Sequence, residues 1–291
     1  MDVSLICPCY NSLSSLPRLI SSFKNQDFQG TKELLFVVDR GKDETESYLQ
    51  SVQSEEIKVI VNPRRLGIVG SRTLGIERCL GSYIGFVDAD DFLESTFLSK
   101  MISAMEKEKA DACDCSFYIH KKDKKFAYPF RGPEKVLSGA ESVRALLKDT
   151  SVRGFVWSKL FKREILLGDP KVALPENLSF EDMPFCFMAF SKCSKVVFLK
   201  DPLYHYSKEN AASFTKSKNP KRARQHLESF AFMKDFAEKT GRQELIEAFL
   251  SSKFRASLSL RYDLSLSKKD GLSKEEAKRI RSDLSLLYKK D

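Results

Sequence analysis

The chain has 291 residues, of which 42% are hydrophobic and 31% are charged, and its formal net charge is +9. This composition is typical of a soluble folded protein and excludes the intrinsically disordered and membrane-embedded classes. The first residues carry no basic leader, and no apolar run approaches the roughly 18 residues that cross a bilayer, so we expect a cytoplasmic protein. The seven cysteines, an odd number, are expected to be reduced and buried.

Short β-rich runs alternate with helical patterns in the first half of the chain, which predicts a parallel α/β sheet. The predicted strands are residues 3–7, 34–38, 59–61 and 84–87. Apolar residues at helical spacing predict helices over 16–23 and 71–80. The expected order is therefore β-α-β-α-β with right-handed crossovers.

The next stretch predicts a helix over 97–108 and a strand over 112–119. A charged segment at 121–125 is predicted to be a hairpin tip that leads into residues 126–130. Residues 138–190 are predicted to mix short helices with loops.

The pattern is wholly helical from Pro220 onward, and Ser, Lys, Asn and Pro cluster at 216–220. Residues 216–291 contain 19 Lys and Arg against 11 Asp and Glu, a net charge of +8. We expect one domain over 1–215, with halves of about 1–110 and 111–215, followed by this basic helical region.

Polar loops follow each of the four predicted strands, where ligands bind in open parallel sheets. These loops are Pro8-Cys9-Tyr10-Asn11, Asp39-Arg40-Gly41-Lys42-Asp43, Pro63-Arg64-Arg65 and Asp88-Ala89-Asp90-Asp91. The sequence has neither the G-x-G-x-x-G nor the G-x-x-x-x-G-K pattern, so a bound phosphate must be neutralised by something other than a glycine-rich cradle.

The aspartates of the last loop predict a site for Mg²⁺ or Mn²⁺. These cations take oxygen ligands, commonly one or two carboxylates together with substrate phosphates. Carboxylates crowded at a buried strand end also repel one another unless a cation joins them. The alternative is structural, since Asp90 or Asp91 could cap the helix that begins near residue 97.

Six segments in one order carry a resemblance to a known family: residues 3–11, 37–39, 70–76, 81–91, 157–161 and 179–182. They resemble family 2 glycosyltransferases of the GT-A fold over roughly residues 1–213. The resemblance implies an α/β fold with a GT-A type nucleotide-binding mixed sheet flanked by helices, and a C-terminal helical extension. It also implies a nucleotide-sugar half before residue 110 and an acceptor half after it.

The resemblance assigns roles to individual residues. The nucleotide-sugar contacts it implies are Pro8, Tyr10, Asp39, Arg72, Asp88 and Ala89. The implied ligands of Mn²⁺ or Mg²⁺ are Asp90, Asp88 and His205. For the histidine the alternative is a side chain that is only hydrogen-bonded in place.

Glu181 and Asp182 resemble the acidic pair of the family, in which the second carboxylate is the general base. An acceptor hydroxyl is a poor nucleophile, so a carboxylate within hydrogen-bond reach must take its proton. One base and direct displacement imply inversion at the anomeric carbon. The alternative is an acidic pair that stabilises the N-terminus of the helix that follows.

Arg40 departs from the family pattern, which has a second acidic residue here that contacts uracil. An arginine has only donors and cannot accept the ring proton of uracil. Asp43 could take that place, or the nucleotide base could differ from uracil. Thr73 is a milder departure, because the family often has Asn there.

The leading hypothesis is transfer of a hexose or N-acetylhexosamine from a nucleotide-sugar, UDP-linked in the family, to a glycan or lipid-linked acceptor. The reaction would serve bacterial surface polysaccharide or lipooligosaccharide assembly. The alternatives are a nucleotidyltransferase acting on sugar phosphates and a non-enzymatic nucleic-acid-binding protein that uses the basic tail. Both are disfavoured, since the charged glycine-rich loop is missing and stacking aromatics are few.

The basic C-terminal helices have two interpretations. They could contact the anionic inner face of the cell membrane, with Phe249, Phe254, Leu258 and Leu260 as the apolar contact. They could instead pack on the catalytic core or on a second copy of the chain in a homodimer.

Overall fold

A computed structural model describes residues 1–121, 124–128, 134–150, 152–208 and 218–289. Residues 122–123 and 129–130 of the predicted hairpin, and residues 216–217 of the predicted boundary, lie outside this description. The limits of the predicted domains stay a prediction.

A mixed sheet forms the centre of the described chain. Its strands are β1 (Val3–Cys9), β2 (Lys32–Val38), β3 (Ile57–Val61), β4 (Tyr83–Phe86), β5 (Phe92–Leu93), β6 (Ala112–Lys121), β7 (Lys124–Ala127), β8 (Lys135–Ser138), β9 (Lys159–Lys162) and β10 (Lys195–Ser207). The main order is β3-β2-β1-β4-β9-β6-β10-β5, with β7 beside β6 and β8 beside β10. The predicted parallel half, β3-β2-β1-β4, is confirmed. Antiparallel β9 then joins β4 to β6, which makes the whole sheet mixed.

Helices cover both faces of this sheet. They are α1 (Leu16–Lys24), α2 (Thr45–Ser51), α3 (Gly67–Arg78), α4 (Phe97–Glu108), α5 (Gly139–Lys148), α6 (Arg163–Leu167), α7 (Asp182–Lys192), α8 (Arg222–Thr240), α9 (Gln243–Ser251), α10 (Lys253–Lys269) and α11 (Lys274–Leu287). A 3₁₀ turn at Val156–Ser158 precedes β9.

Alternation along β1 creates two apolar cores, because successive side chains of a strand point to opposite faces. Leu5 and Cys7 pack with α1 and α4, whereas Ile6 faces α3, α5, α7 and the C-terminal helices. Helix α3 lies so close to β1 that a Cβ on Gly75 would meet Ile6 Cγ2 at 2.3 Å. This close packing holds the start of α3 over the carboxyl ends of the strands.

All seven cysteines are buried and free, as predicted. The Sγ atoms of Cys7 and Cys9 lie 3.6 Å apart on one face of β1. Burial raises the pKa of the Cys7, Cys113 and Cys115 thiols well above their usual range. These thiols therefore behave as small apolar side chains.

The C-terminal helices pack on the catalytic core, whereas their contact with a second copy of the chain stays a prediction. The rings of Phe187 in α7 and Phe236 in α8 meet edge to face at 6.0 Å, and Ser229 Oγ donates to the Phe180 carbonyl at 2.9 Å. Phe249 and Leu260 are buried in this contact. The expectation that these two residues touch a membrane is wrong, because they fill the core instead. No helix in the described ranges combines the length and apolarity that a bilayer crossing requires.

Candidate active site

The loops after β1 and β2 interlock at one edge of the sheet. Asn11, with a positive φ of 50°, accepts the backbone N–H of Lys42 at 2.7 Å. Asp43 accepts the backbone N–H of Leu13 at 3.1 Å. Asp43, the suggested substitute for a uracil contact, therefore ties the two loops together.

The predicted nucleotide residues of the first two loops differ in accessibility. Tyr10 is 41% exposed, and the guanidinium of Arg65 stacks on its ring at 4.2 Å. Pro8, two residues before Tyr10, is half-buried. Arg40 turns outward and pairs with Glu46 at 3.3 Å.

Asp39 is buried and already carries three hydrogen bonds. It accepts the Asn62 side-chain amide at 2.8 Å and the backbone N–H groups of Leu66 and Gly67 at 2.9 and 2.7 Å. Those backbone donors belong to the N-terminus of α3, where a carboxylate satisfies unpaired N–H groups. Asp39 therefore fixes α3, and with it the position of Arg72.

Arg72 joins the two acidic groups of the site. Its Nη2 donates to Asp88 Oδ1 at 2.9 Å, and its Nη1 donates to Asp182 Oδ1 at 2.6 Å and to Glu181 Oε1 at 3.2 Å. The guanidinium is almost fully buried, and the carboxylates, Asp182 first, raise its pKa. The structure thus brings the end of β4 and the start of α7 to one positively charged side chain, that of Arg72.

The acidic residues crowd one another despite this arginine. Burial raises the pKa of Asp88 to about 6; Arg72 opposes the shift, and Asp182 and Asp90 add to it. Burial, then the charge of Asp182, raises the pKa of Glu181 to about 7, again against Arg72. One guanidinium is not enough to offset this much negative charge.

The sequence of this chain is similar to those of known glycosyltransferases. The sequence model described as glycosyl transferase family 2 matches residues 4–167. The chain belongs to glycosyl transferase family 2. It is 28% identical over 218 residues to the uncharacterized glycosyltransferase EpsJ of Bacillus subtilis (strain 168), covering 73% of this chain and 62% of EpsJ. It is 28% identical over 215 residues to the cholesterol galactosyltransferase of Borreliella burgdorferi, covering 69% of this chain and 59% of that protein.

The fold of this family 2 chain is also that of a solved structure. It matches S. aureus TarS 1-349 in complex with UDP-GlcNAc with a TM-score of 0.78 at 20% identity, over 99% of this chain and 82% of that one. The likeness confirms the expected GT-A type fold. The chain spans about three fifths of the length of the two curated relatives. Family membership does not favour the nucleotidyltransferase or nucleic-acid-binding alternatives.

Asp91 is a structural residue of the family 2 site. It is fully buried, accepts the Tyr204 hydroxyl at 2.7 Å, and accepts the Ser207 backbone N–H at 2.7 Å. Tyr204 in turn accepts the Asp88 backbone N–H at 3.1 Å. Burial raises the pKa of Asp91 well above its usual range. Asp91 and Tyr204 therefore shape the loop that presents Asp88 and Asp90.

His205 lies on the opposite side of β10 from Tyr204. Its Nε2 is 2.9 Å from Glu94 Oε1, its Nδ1 is 2.8 Å from His120 Nε2, and its ring stacks on Phe92 at 4.1 Å. Burial lowers its pKa to about 4. Its role as a third metal ligand stays a prediction, and it requires that a metal replace one of these two contacts.

The chemistry of the donor set fits a divalent cation at Asp88 and Asp90. Both side chains are half-buried rather than sealed, and two carboxylates with substrate phosphates suffice for Mg²⁺ or Mn²⁺. Ala89 between them is held by Ser15, whose hydroxyl donates to the Ala89 carbonyl at 2.7 Å. No group of three or more His, Cys, Asp or Glu within the described chain has metal-binding geometry.

The sequence indicated residues 157–161 through the family resemblance, but it did not predict the contacts that this segment makes beside Asp182. Trp157 stacks on Tyr204 at 4.4 Å and is buried, so it is a core residue. The backbone N–H of Val156 lies 3.5 Å from Asp182 Oδ2. Lys159, fully buried, donates to Asp114 at 3.1 Å and to two carbonyls of this segment, those of Arg153 and Phe155, at 2.7 Å each. A lysine inside the apolar run at 155–161 was the signal for this buried ion pair.

Proposed function

We propose that the protein is a metal-dependent inverting glycosyltransferase. It moves a sugar from a nucleotide-sugar, UDP-linked, to a hydroxyl of a glycan or lipid-linked acceptor in bacterial surface polysaccharide or lipooligosaccharide synthesis. The observation that carries this proposal is the pair of contacts from Arg72 to Asp88 and to Asp182. They support the proposal because Asp88, a proposed metal ligand, and Asp182, the proposed base, each bind a different Nη atom of the same side chain.

Asp88 and Asp90 would hold Mn²⁺ or Mg²⁺ together with the diphosphate of the donor. When bound, such a cation offsets the negative charge that grows on the leaving diphosphate. Arg72 supports the same side of the site, because its Nη2 donates to Asp88 at 2.9 Å. The raised pKa of Asp88 is consistent with a site that gains stability when a cation arrives.

Asp182 would be the general base. Arg72 and the Val156 N–H hold its two oxygens, which fixes the carboxylate while leaving it partly exposed. As the acceptor oxygen attacks the anomeric carbon, Asp182 takes the hydroxyl proton and the bond to the diphosphate oxygen breaks. Attack opposite the leaving group inverts the anomeric centre. Glu181 sits behind Asp182, and burial raises its pKa to about 7, so its neutral form is favoured below that pH.

The nucleotide would lie over the ends of β1 and β2. Tyr10 offers an exposed ring beside Pro8 for the base, and Arg65 already stacks on that ring. UDP is proposed because the TarS structure carries UDP-GlcNAc. The name of the Borreliella relative, a cholesterol galactosyltransferase, supports hexose transfer to a lipid hydroxyl.

The test is release of nucleoside diphosphate from UDP-GlcNAc, UDP-galactose, UDP-glucose and GDP-mannose in the presence of MnCl₂. We expect turnover with at least one donor, and a loss of about 100-fold or more in Asp182→Asn, the typical contribution of a general base. Asp27→Asn, an exposed residue outside the site, is the matched control. Undiminished turnover in Asp182→Asn would exclude the proposed base.

A further inference from the structure

Helix α10 has an apolar stripe on its outer face. Phe254, Leu258 and Tyr262 recur every four residues and are 76%, 38% and 67% exposed. Residues four apart lie on one side of a helix. The opposite side, with Ala256, Leu260 and Leu264, is buried in the core. The stripe is therefore a second apolar face that folding leaves uncovered.

Basic residues flank this stripe without acidic partners. Lys253, Arg261 and Lys268 are exposed, and no ion pair joins them to a carboxylate in the described chain. The one acidic residue of α10, Asp263, is buried and bonded to His226. Among the described residues of α10, the outer face is thus apolar along the stripe, positive beside it and without an exposed acidic side chain.

A chain of contacts connects α10 with the acceptor side of the proposed site. Arg255 Nη2 donates to the Asp149 carbonyl at 2.9 Å and lies 3.2 Å from its carboxylate. Asp149 pairs with Arg153 at 2.8 Å. Arg153 begins the segment in which the Val156 N–H faces Asp182. These contacts link α10, through Arg255, to the segment that lies beside the candidate base.

We infer that this α10 surface, made of Phe254, Leu258, Tyr262, Lys253 and Arg261, binds an anionic lipid bilayer. An apolar stripe flanked by Lys and Arg is the pattern that lies in the interface of a membrane. A bilayer bound here would hold the enzyme on the surface that carries a lipid-linked acceptor, a step that rests on the proposed function. A second copy is a poorer occupant, because a two-fold contact over the stripe would bring the positive charges of the two copies together.

Flotation with vesicles of phosphatidylglycerol and phosphatidylcholine tests the surface in the full-length chain. We expect binding to the anionic vesicles, at least tenfold weaker binding to pure phosphatidylcholine, and loss of binding in 0.5 M salt as charges are screened. Phe254→Ser combined with Tyr262→Ser should reduce binding at least tenfold, and so should Lys253→Glu combined with Arg261→Glu. Equal binding by these variants, or no binding by the natural chain, would overturn the proposal.

Matched controls separate the surface from general effects. Leu286→Ser removes another exposed apolar side chain, in a groove between α8 and α11, and should bind as the natural chain does. Lys24→Glu combined with Lys107→Glu reverses two exposed charges elsewhere and should also bind normally. A loss of binding as large in these controls would contradict a specific surface.

Two further measurements distinguish membrane binding from self-association and from the proposed transferase activity. Light scattering should give one mass for the natural chain and for Phe254→Ser/Tyr262→Ser; dissociation of an oligomer in the variant would assign the stripe to a second copy and overturn the proposal. Release of diphosphate from the soluble donor should be unchanged in that variant. If the natural chain binds vesicles but turns over no nucleotide-sugar, the proposed function fails while the membrane surface stands.

Discussion

The guanidinium of Arg72 lies 2.6 Å from the carboxylate of Asp182, a residue 110 positions further along the chain. The same guanidinium lies 2.9 Å from Asp88. Helix α3 thereby couples the end of a parallel strand to the first turn of α7. The proposed cation site and the proposed base are held in register by one buried side chain.

Replacing Arg72 by Met should destabilise the protein strongly. Removing one partner from a buried ionic cluster costs about 3 kcal/mol or more, because the remaining charges lose their compensation. Urea unfolding in EDTA measures this loss. Arg78→Met, at the exposed end of the same helix, should change the unfolding free energy by less than about 0.5 kcal/mol. A similar small effect for Arg72→Met would show that the cluster does not depend on it.

Stability should fall as the pH rises through the range in which Glu181 titrates. Folding raises the pKa of this carboxyl from 4.5 to about 7, so the folded state holds the proton more tightly than the unfolded state. The Glu181 carboxyl therefore favours the folded state most below about pH 4.5. Its contribution to the free energy of unfolding is lost as the pH rises from about 4.5 to about 7. Asp88 likewise lowers the free energy of unfolding as the pH rises from 3.8 to about 6.

Glu181→Gln should therefore be less sensitive to pH than the natural chain over that window. The difference should be on the order of 1 to 3 kcal/mol between pH 4.5 and 7, since one pKa unit corresponds to about 1.4 kcal/mol. Chemical unfolding at several pH values, without divalent cations, gives the two curves. Glu77→Gln, an exposed change, is the control and should follow the natural chain. Parallel curves for Glu181→Gln and the natural chain would refute a raised pKa.

Asp90 and Asp91 are neighbours with different roles, and a pair of substitutions should separate them. Asp91→Asn disturbs the buried contacts with Tyr204 and Ser207 and should lower the unfolding free energy by about 1 to 3 kcal/mol. Asp90→Asn should leave stability nearly unchanged and weaken metal-dependent binding of nucleotide. Thermal unfolding together with a binding titration distinguishes the two variants, and the reverse pattern would contradict the assignment.

The buried pair of Lys159 and Asp114 should behave as one unit. Lys159→Met leaves the carboxylate of Asp114 without its cation and should cost about 3 to 5 kcal/mol. Asp114→Asn in the same chain should recover part of that loss, because the uncompensated charge is then gone. A double-mutant cycle on unfolding free energies gives the coupling. Strict additivity of the two changes would mean that the pair is not coupled.

The parallel half of the sheet was predictable because each of its strands has a clear pattern in the local sequence. Each is a short apolar run with a polar exit, and a parallel connection through a helix leaves few arrangements. The later strands carry weaker signals. The polar segment Lys200-Asp201-Pro202 lies within β10, and the register of the strand shifts at Pro202. In a sequence, a proline at this position predicts the end of a strand. Helix α2 and the edge strands β5 and β8 are too short to stand out by periodicity.

The sequence predicted the candidate site residues one by one, and their roles stay predictions, but it did not predict the contacts among them. The sequence indicated Asp88, Arg72 and Asp182 separately, whereas their meeting depends on long-range packing. The contacts of His205 also follow from strand alternation: Tyr204 faces Asp91, and His205, the next side chain of β10, contacts Glu94 and His120 on the other side. Helix α10 has apolar residues on two faces, and its sequence alone does not say which face the core covers.

The most direct test of the account is calorimetric titration of UDP, GDP, CDP and ADP into the protein with MnCl₂ and with EDTA. We predict that at least one of these nucleotides binds tenfold or more tightly when Mn²⁺ is present, and that Asp90→Asn abolishes this difference while Asp27→Asn preserves it. Equal affinity with Mn²⁺ and with EDTA for every nucleotide, or an undiminished metal effect in Asp90→Asn, would contradict a cation held at the end of β4.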